Sequence, residues 1–330
     1  MSLFFLMCSE RSGSNFVTKL MNGHDNVCGP STKHLINPVA RNLFRYGNLA
    51  NDSNWESLLN DIDRLFNVAF SLWKLEIDKE RLKTLAPAGN VGDLLRNIFY
   101  AEAKLHNKQH VFIKENHLYE FFPFLQHYFP DARYVYITRD PRDMALSWKK
   151  NPDHPGGVVA AARQWRQDQV QSLKNYHILK ELGRVCHLRY EDLIAEPDAC
   201  CRLMCRTLGI AFDPNMRNFY EDSWTQKNAS QVGAWKNLAK PVMSENSKKY
   251  KSQLTEQEIL AIESIAFYEM RQFGYEPEMV SEKSPPLSDS SLNDMAQLEM
   301  TSHRRNPSQG VLENMEAKKK FYRRSAIRGM

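Results

Sequence analysis

The residues best suited to chemistry stand at Glu10-Arg11-Ser12-Gly13-Ser14-Asn15, directly after the apolar run Leu3 to Met7 and directly before Phe16-Val17-Thr18-Lys19-Leu20-Met21. A strand that breaks at Ser-Gly-Ser and restarts as a helix aims several backbone N–H groups and the positive end of a helix dipole at one point. Such a point accepts a phosphate-like anion. The Gly-x-x-x-x-Gly-Lys-Ser/Thr pattern of a triphosphate-binding loop is absent, so no hydroxyl beside a lysine is offered to magnesium. Taken alone, the segment reads equally well as a plain strand, turn and serine-capped helix. Residues 133–148, Arg-Tyr-Val-Tyr-Ile-Thr-Arg-Asp-Pro-Arg-Asp-Met-Ala-Leu-Ser-Trp, supply a second anion site. Arg139 ends a β-rich stretch, and Ser147 follows eight residues later in a helical pattern. A guanidinium fork and a hydroxyl so spaced can converge on one dianion.

The pairing of R-S-G-S with R-D-P-R-D-x-x-x-S resembles the sulfotransferases that use 3′-phosphoadenosine 5′-phosphosulfate (PAPS). Three further segments carry the resemblance. Leu188-Arg189-Tyr190-Glu191-Asp192-Leu193, then Glu196-Pro197 and a helix to Leu208-Gly209-Ile210, is similar to the family's R-Y-E-D-L strand and following helix. Val232-Gly233-Ala234-Trp235-Lys236 is similar to its V-G-x-W-K segment, and Phe273-Gly274-Tyr275 to its closing L-G-Y.

The resemblance implies a phosphate-loop-like α/β fold, with the 5′-phosphosulfate at the first loop and the 3′-phosphate at the second. Arg11 and the N–H groups of Ser12, Gly13, Ser14 and Asn15 then hold the phosphosulfate, while Arg139 and Ser147 hold the 3′-phosphate. Lys114 matches the lysine that family members place near the transferred sulfuryl group. Tyr190 is expected against the adenine or ribose. Trp235 and Lys236 are expected as lid residues, with plain core packing the rival reading of Trp235. Arg142 and Asp143 can either touch ligand or tie their own turn together by ion pairs. Glu191 and Asp192 are read as tethers of the strand-to-helix connection. Sulfuryl transfer needs cations at the leaving oxygen, donors at the sulfuryl oxygens and a base for the attacking hydroxyl or, less favourably, amine, and it requires no metal.

The base is open between three residues. Cytosolic members of the family carry Lys-Thr-His where this chain has Lys114-Glu115-Asn116-His117, one residue longer, and an imidazole accepts a proton near neutral pH. His117 is therefore the first candidate, His34 the second and Glu115 the third. The glutamate that tyrosylprotein sulfotransferases carry after a Cys-Gly pair is missing here, where Cys28-Gly29 leads into Pro30-Ser31. The overall look is closer to bacterial-type members. The acceptor class stays broad: carbohydrate, lipid or another small metabolite. Two rival classes are a nucleoside or small-molecule kinase of related architecture, and a non-catalytic module that binds PAPS or its product adenosine 3′,5′-bisphosphate (PAP).

Stepping strands and helices must position these loops. Leu3 to Met7 reads as a buried parallel strand, too short and without the basic flank of a signal segment or membrane span. Apolar residues at a 3.6-residue period predict helices over 55–77, 92–105, 120–128 and 157–182, and strands are expected at 110–114, 134–138 and 185–189. Strands alternating with helices predict one three-layer α/β domain around a central parallel sheet, residues 1–280, with ligand at the carboxyl ends of the strands. Residues 281–330 turn to Ser-Pro-Pro and Ser-Asp-Ser-Ser and reach Lys318-Lys319-Lys320-Phe321-Tyr322-Arg323-Arg324, read as a polar, basic, flexible extension with a short helix over 311–324. That tail could contact an anionic partner, although a solvated tail is the simpler reading. A net charge of +5 suits an anionic cosubstrate and does not by itself call for nucleic acid. Six cysteines without a C-x-x-C pair indicate reduced thiols, a cytoplasmic setting, and neither a disulfide framework nor a zinc site.

Overall fold

The structure, a computed structural model, describes residues 1–68, 71–231, 233–281, 283–302 and 306–323. Five parallel strands form one sheet in the order β2-β3-β1-β4-β5: β1 Leu3–Cys8, β2 Val27–Cys28, β3 His110–Lys114, β4 Arg133–Thr138 and β5 Val185–Arg189. Phe5 of β1 stands opposite Ile113 on one side and Tyr134 on the other, which fixes the central register. Both faces of such a sheet are covered, and the central strand β1 is apolar and buried at every position. Leu3, Phe5 and Met7 enter one core, while Phe4, Leu6 and Cys8 enter the other.

Helices α1 (Ser14–Gly23), α2 (Ile36–Asn42), α3 (Asp52–Phe66), α4 (Lys79–Leu85), α5 (Val91–Leu105) and α6 (Phe122–Tyr128) fall between the first four strands. Helices α7 (Pro141–Lys149) and α8 (Val158–Glu181) separate β4 from β5. After β5 come α9 (Tyr190–Ala195), α10 (Pro197–Leu208), α11 (Ser223–Gln231), α12 (Tyr250–Gln253), α13 (Glu256–Gln272), α14 (Asp289–Ser302) and α15 (Gln309–Arg323). Helices α1, α9 and α10 cover one face of the sheet, and α3, α5, α7, α8 and α13 cover the other. The chain runs outward to β2 and back through β3, then crosses to β4, so the loops after β1 and β4 part beside the centre of the sheet, where ligands of such folds bind.

The three-layer parallel architecture is the expected one, with one local difference. The helix expected over 55–77 ends at Phe66, where the Asn67 N–H caps the Asp63 carbonyl at 3.0 Å. The Lys33 ammonium takes the carbonyls of Phe66 and Ser71, each at 2.6 Å, and the Trp73 indole donates to Ser31 O at 2.6 Å. Trp73, Leu75 and Ile77 are buried all the same, so the period reported burial while distant polar groups unwound the backbone. Ala69 and Phe70, part of that expected helix, lie outside the described residues, as do Val232 and Arg324.

After residue 281, α14 and α15 pack against the core through the buried Leu292 and Phe321, with Met295, Ala296 and Ala317 partly buried beside them. The Glu299 carboxylate accepts from Val158 N at 2.9 Å and Val159 N at 3.0 Å, capping the first turn of α8. All six cysteines are free and buried, and burial raises their thiols to about 11 or 12, which leaves them inert. Among the described residues no helix is long and apolar enough to cross a membrane.

Candidate active site

The loop after β1 holds itself in shape: Ser12 Oγ donates to Ser9 O at 2.6 Å, and Val17 N closes the first turn of α1 onto Gly13 O at 3.1 Å. Gly13 has φ +87°, and a Cβ there would lie 2.4 Å from Cδ2 of Tyr190, so only glycine fits. Tyr190, the first residue of α9, is fixed from both ends. Its hydroxyl accepts from Asn246 Nδ2 at 2.7 Å, and the Arg139 guanidinium sits 4.4 Å from its ring centre.

Arg139 leaves the end of β4 and donates to Arg11 O (3.2 Å) and Asn246 O (3.1 Å), while its own carbonyl accepts from the Trp165 indole (3.0 Å). Its Nε is buried without a hydrogen-bond partner among the described residues. Asp140 caps α7 by accepting from Arg142 N at 2.9 Å, and α7 then brings Ser147 back to the loop, where Ser147 Oγ accepts from Arg11 Nε at 3.1 Å. The sequence reading divided Arg11 from the Arg139–Ser147 pair; the structure joins all three in one cluster. Burial, and then the charge of Arg139, hold the Arg11 guanidinium below its ordinary range. Two crowded cations with an unfilled donor are poised for an anion.

The cluster borders a cleft of about 940 Å³ that is also lined by Gly13, Ser14, Asn15, Tyr190, Trp235 and Lys236. Lys150, Lys240 and Lys249 add positive charge against two acids, Asp143 and Asp153. Asp143 is turned to backbone, accepting from the N–H groups of Lys248 and Tyr250. Arg142 clasps Asp140 through Nε (3.0 Å) and Nη2 (2.8 Å) and Glu263 through Nη1 (2.8 Å), so it ties the turn to α13. Glu191 accepts from Asp140 N and from the Tyr275 hydroxyl, each at 3.0 Å. These acids and Arg142 are the frame of the cluster.

A second cavity of about 420 Å³ opens on the other side of the loop and shares Arg11, Ser14, Asn15, Asp153 and Trp235 with the cleft. Lys114, from the end of β3, lines it together with His117 and His34. Arg11, His34 and His117 all have left-handed backbones, at φ 61°, 55° and 53°. Non-glycine residues held there cost about 1–3 kcal/mol each and gather at functional sites. His117 Nε2 and Asn116 Oδ1 are buried without hydrogen-bond partners among the described residues. His34 is held well below its ordinary range by burial first, then by the charges of Lys318, Lys114 and His117. Glu115 does not reach this cavity: its Oε1 accepts from Ile36 N at 3.1 Å, and burial pushes its carboxyl up to about 7.

Ser12 is also absent from both cavities, buried beneath the loop. Trp235 packs with Phe16, Ala229 and Leu238 and lines both spaces. Sequence reasoning missed the acid beside the loop: Glu10 accepts from Asn116 Nδ2 at 2.6 Å and meets His154 Nε2 at 2.8 Å. Burial would raise the Glu10 carboxyl, but the hydrogen bond and charge of His154, with His117 and Lys114 behind it, bring it to about 2. Adjacency to Arg11 was the one sequence signal for Glu10; nothing in Pro152-Asp153-His154-Pro155 marks the histidine.

The model of the sulfotransferase family matches residues 4–214. Comparison with curated proteins gives no match. Among solved structures, the sulfotransferase domain from the Synechococcus PCC 7002 olefin synthase superposes with a TM-score of 0.50 at 19% identity, covering 80% of this chain and 94% of that domain. The sulfotransferase domain from the curacin biosynthetic pathway gives 0.52 at 18% identity, covering 84% and 98%. These likenesses show a shared fold, and the family match takes in all five strands and both anion loops. The chain belongs to the sulfotransferase family.

Proposed function

We propose that the protein moves a sulfuryl group from PAPS to a hydroxyl of a small acceptor, with PAP as the second product. The observation that carries this reading is the cluster of Arg11, Arg139 and Ser147, whose Arg139 Nε has no partner among the described residues, at the seam between a cationic cleft and a smaller cavity that holds Lys114 and His117. When bound, PAPS supplies the activated sulfuryl group and a phosphate leaving group.

In this reading Arg139 and Ser147 grip the 3′-phosphate, and Tyr190 and Lys236 border the nucleoside. Arg11 and the N–H groups of Gly13 to Asn15 hold the phosphosulfate, where fixed donors and cations offset the charge that develops on the leaving oxygen. Lys114 adds its ammonium from the acceptor side. His117 takes the acceptor's proton at Nε2, which has no hydrogen-bond partner among the described residues. His34 is the weaker base because burial and nearby cations resist a further proton, and Glu115 faces the Ile36 amide instead of the cavity.

Differential scanning with nucleotides tests the 3′-phosphate assignment. PAP should raise the melting temperature well beyond AMP, and Arg139→Ala should remove the difference. Loss of such charge-assisted bonds costs about 2–3 kcal/mol, or about two powers of ten in affinity. Equal stabilisation of the parent chain by PAP and AMP would refute the assignment.

A further inference from the structure

The segment 306–322 borders both cavities. Asn306, Pro307 and Ser308 edge the cleft, and the Asn306 N–H donates to Pro152 O at 2.8 Å. Val311, Asn314, Met315, Lys318 and Tyr322 line the smaller cavity. Their spacing puts them along one face of α15. Leu312, Glu313 and Glu316 are exposed on its other side. Phe321 is wholly buried, with its ring 6.5 Å from that of Tyr46, and the Arg41 guanidinium sits 5.7 Å from the ring centre of Tyr322. Helix α15 is thus anchored beside α2 and α3 while its inner face looks onto Lys114 and His117 across the cavity. The charge of Lys318 is felt at His34, on the opposite wall, and at Glu115, which lies outside the cavity.

We propose that α15 is the outer wall of the acceptor site, restricting it to compact acceptors and keeping bulk water from the sulfuryl group. The inference rests on the reading of the smaller cavity as the acceptor site. Unseating the helix opens that wall, and water then competes as nucleophile: its oxygen bonds to sulfur, the bond from sulfur to the PAPS phosphate oxygen breaks, PAP and sulfate leave, and the water's proton passes to solvent.

The probe is PAPS itself, without added acceptor, on the full chain. Phe321→Asp should raise release of labelled sulfate at least fivefold while the PAP dissociation constant stays within twofold. Leu312→Asp, on the exposed face, should change neither. Unchanged sulfate release with intact PAP affinity overturns the wall and leaves the PAPS reading standing; a parent chain that does not bind PAP overturns both. Should Phe321→Asp fail to fold, Lys318→Gln removes a single partly exposed charge, and NMR titration of the His34 imidazole decides. Its midpoint should move up when the facing ammonium is gone, and an unmoved midpoint overturns the seating of α15.

Discussion

Replacing Gly13 with alanine loads two costs onto one carbon. At φ +87° the backbone is left-handed, which costs an L-residue about 1–2 kcal/mol. The new Cβ would also lie 2.4 Å from Tyr190 Cδ2 and 2.6 Å from Cε2, so the ring must retreat by about 1 Å to reach ordinary carbon contact. The ring is held by Asn246 at its hydroxyl and by Arg139 over its face, and such overpacking costs about 1–3 kcal/mol. Together Gly13→Ala should destabilise by about 2–5 kcal/mol, less a few tenths recovered from the stiffer unfolded chain. Gly183 provides the control: its φ is +63°, and a Cβ there meets nothing within 4 Å, so Gly183→Ala should cost only about 1 kcal/mol. Urea unfolding followed by circular dichroism measures both. Adding Tyr190→Ala to Gly13→Ala should recover part of the loss, a favourable coupling that a double-mutant cycle isolates. Because the retreating ring displaces Arg139, Gly13→Ala should also weaken PAP at least tenfold by calorimetry. A Gly13→Ala cost no greater than that of Gly183→Ala, with PAP affinity intact, would refute the argument.

His117→Ala should lower kcat by about 10²–10⁴-fold, the usual worth of a positioned base, with PAP affinity nearly unchanged; retention of more than about a third of parental turnover removes it from the mechanism. Glu115 sets a pH dependence of stability. Its folded carboxyl is raised to about 7 from an ordinary 4.5, so the fold binds more protons than the unfolded chain between those values. Stability from this group is fully present below about pH 4.5 and is lost as pH rises through about 7. Glu115→Gln should flatten that slope in urea titrations across the window, and an unchanged slope assigns it to another group.

The loops and the sheet were legible because their signals are local: an apolar run, a glycine break, an arginine at a strand end and a serine at helical distance. The loss of helix after Phe66 was not, since the cause lies with Lys33 and Ser31 more than thirty residues away. Glu10, Asn116 and His154 form one cluster from three distant loops, and no spacing rule links them. The polar composition of 318–322 carries no local signal for the burial of Phe321, which depends on contact with distant Tyr46. Arg142 and Asp143, left open between ligand and frame, resolve through partners at Glu263, Lys248 and Tyr250 that lie over a hundred residues downstream.

The position of β1 has a consequence for synthesis. It is the central strand, yet it is the first of the five to be made, and its partners β3 and β4 follow only after more than a hundred residues. At about 5–20 residues per second the ribosome needs roughly 5–25 s to deliver them. Throughout that interval Leu-Phe-Phe-Leu-Met-Cys, uncharged and free of proline and glycine, has no native strand neighbour. Segments of this composition pair readily with their own copies on other chains. Arrival of the flanking strands therefore competes during translation with capture of β1 by a nascent neighbour, before the final stability of the sheet comes into play.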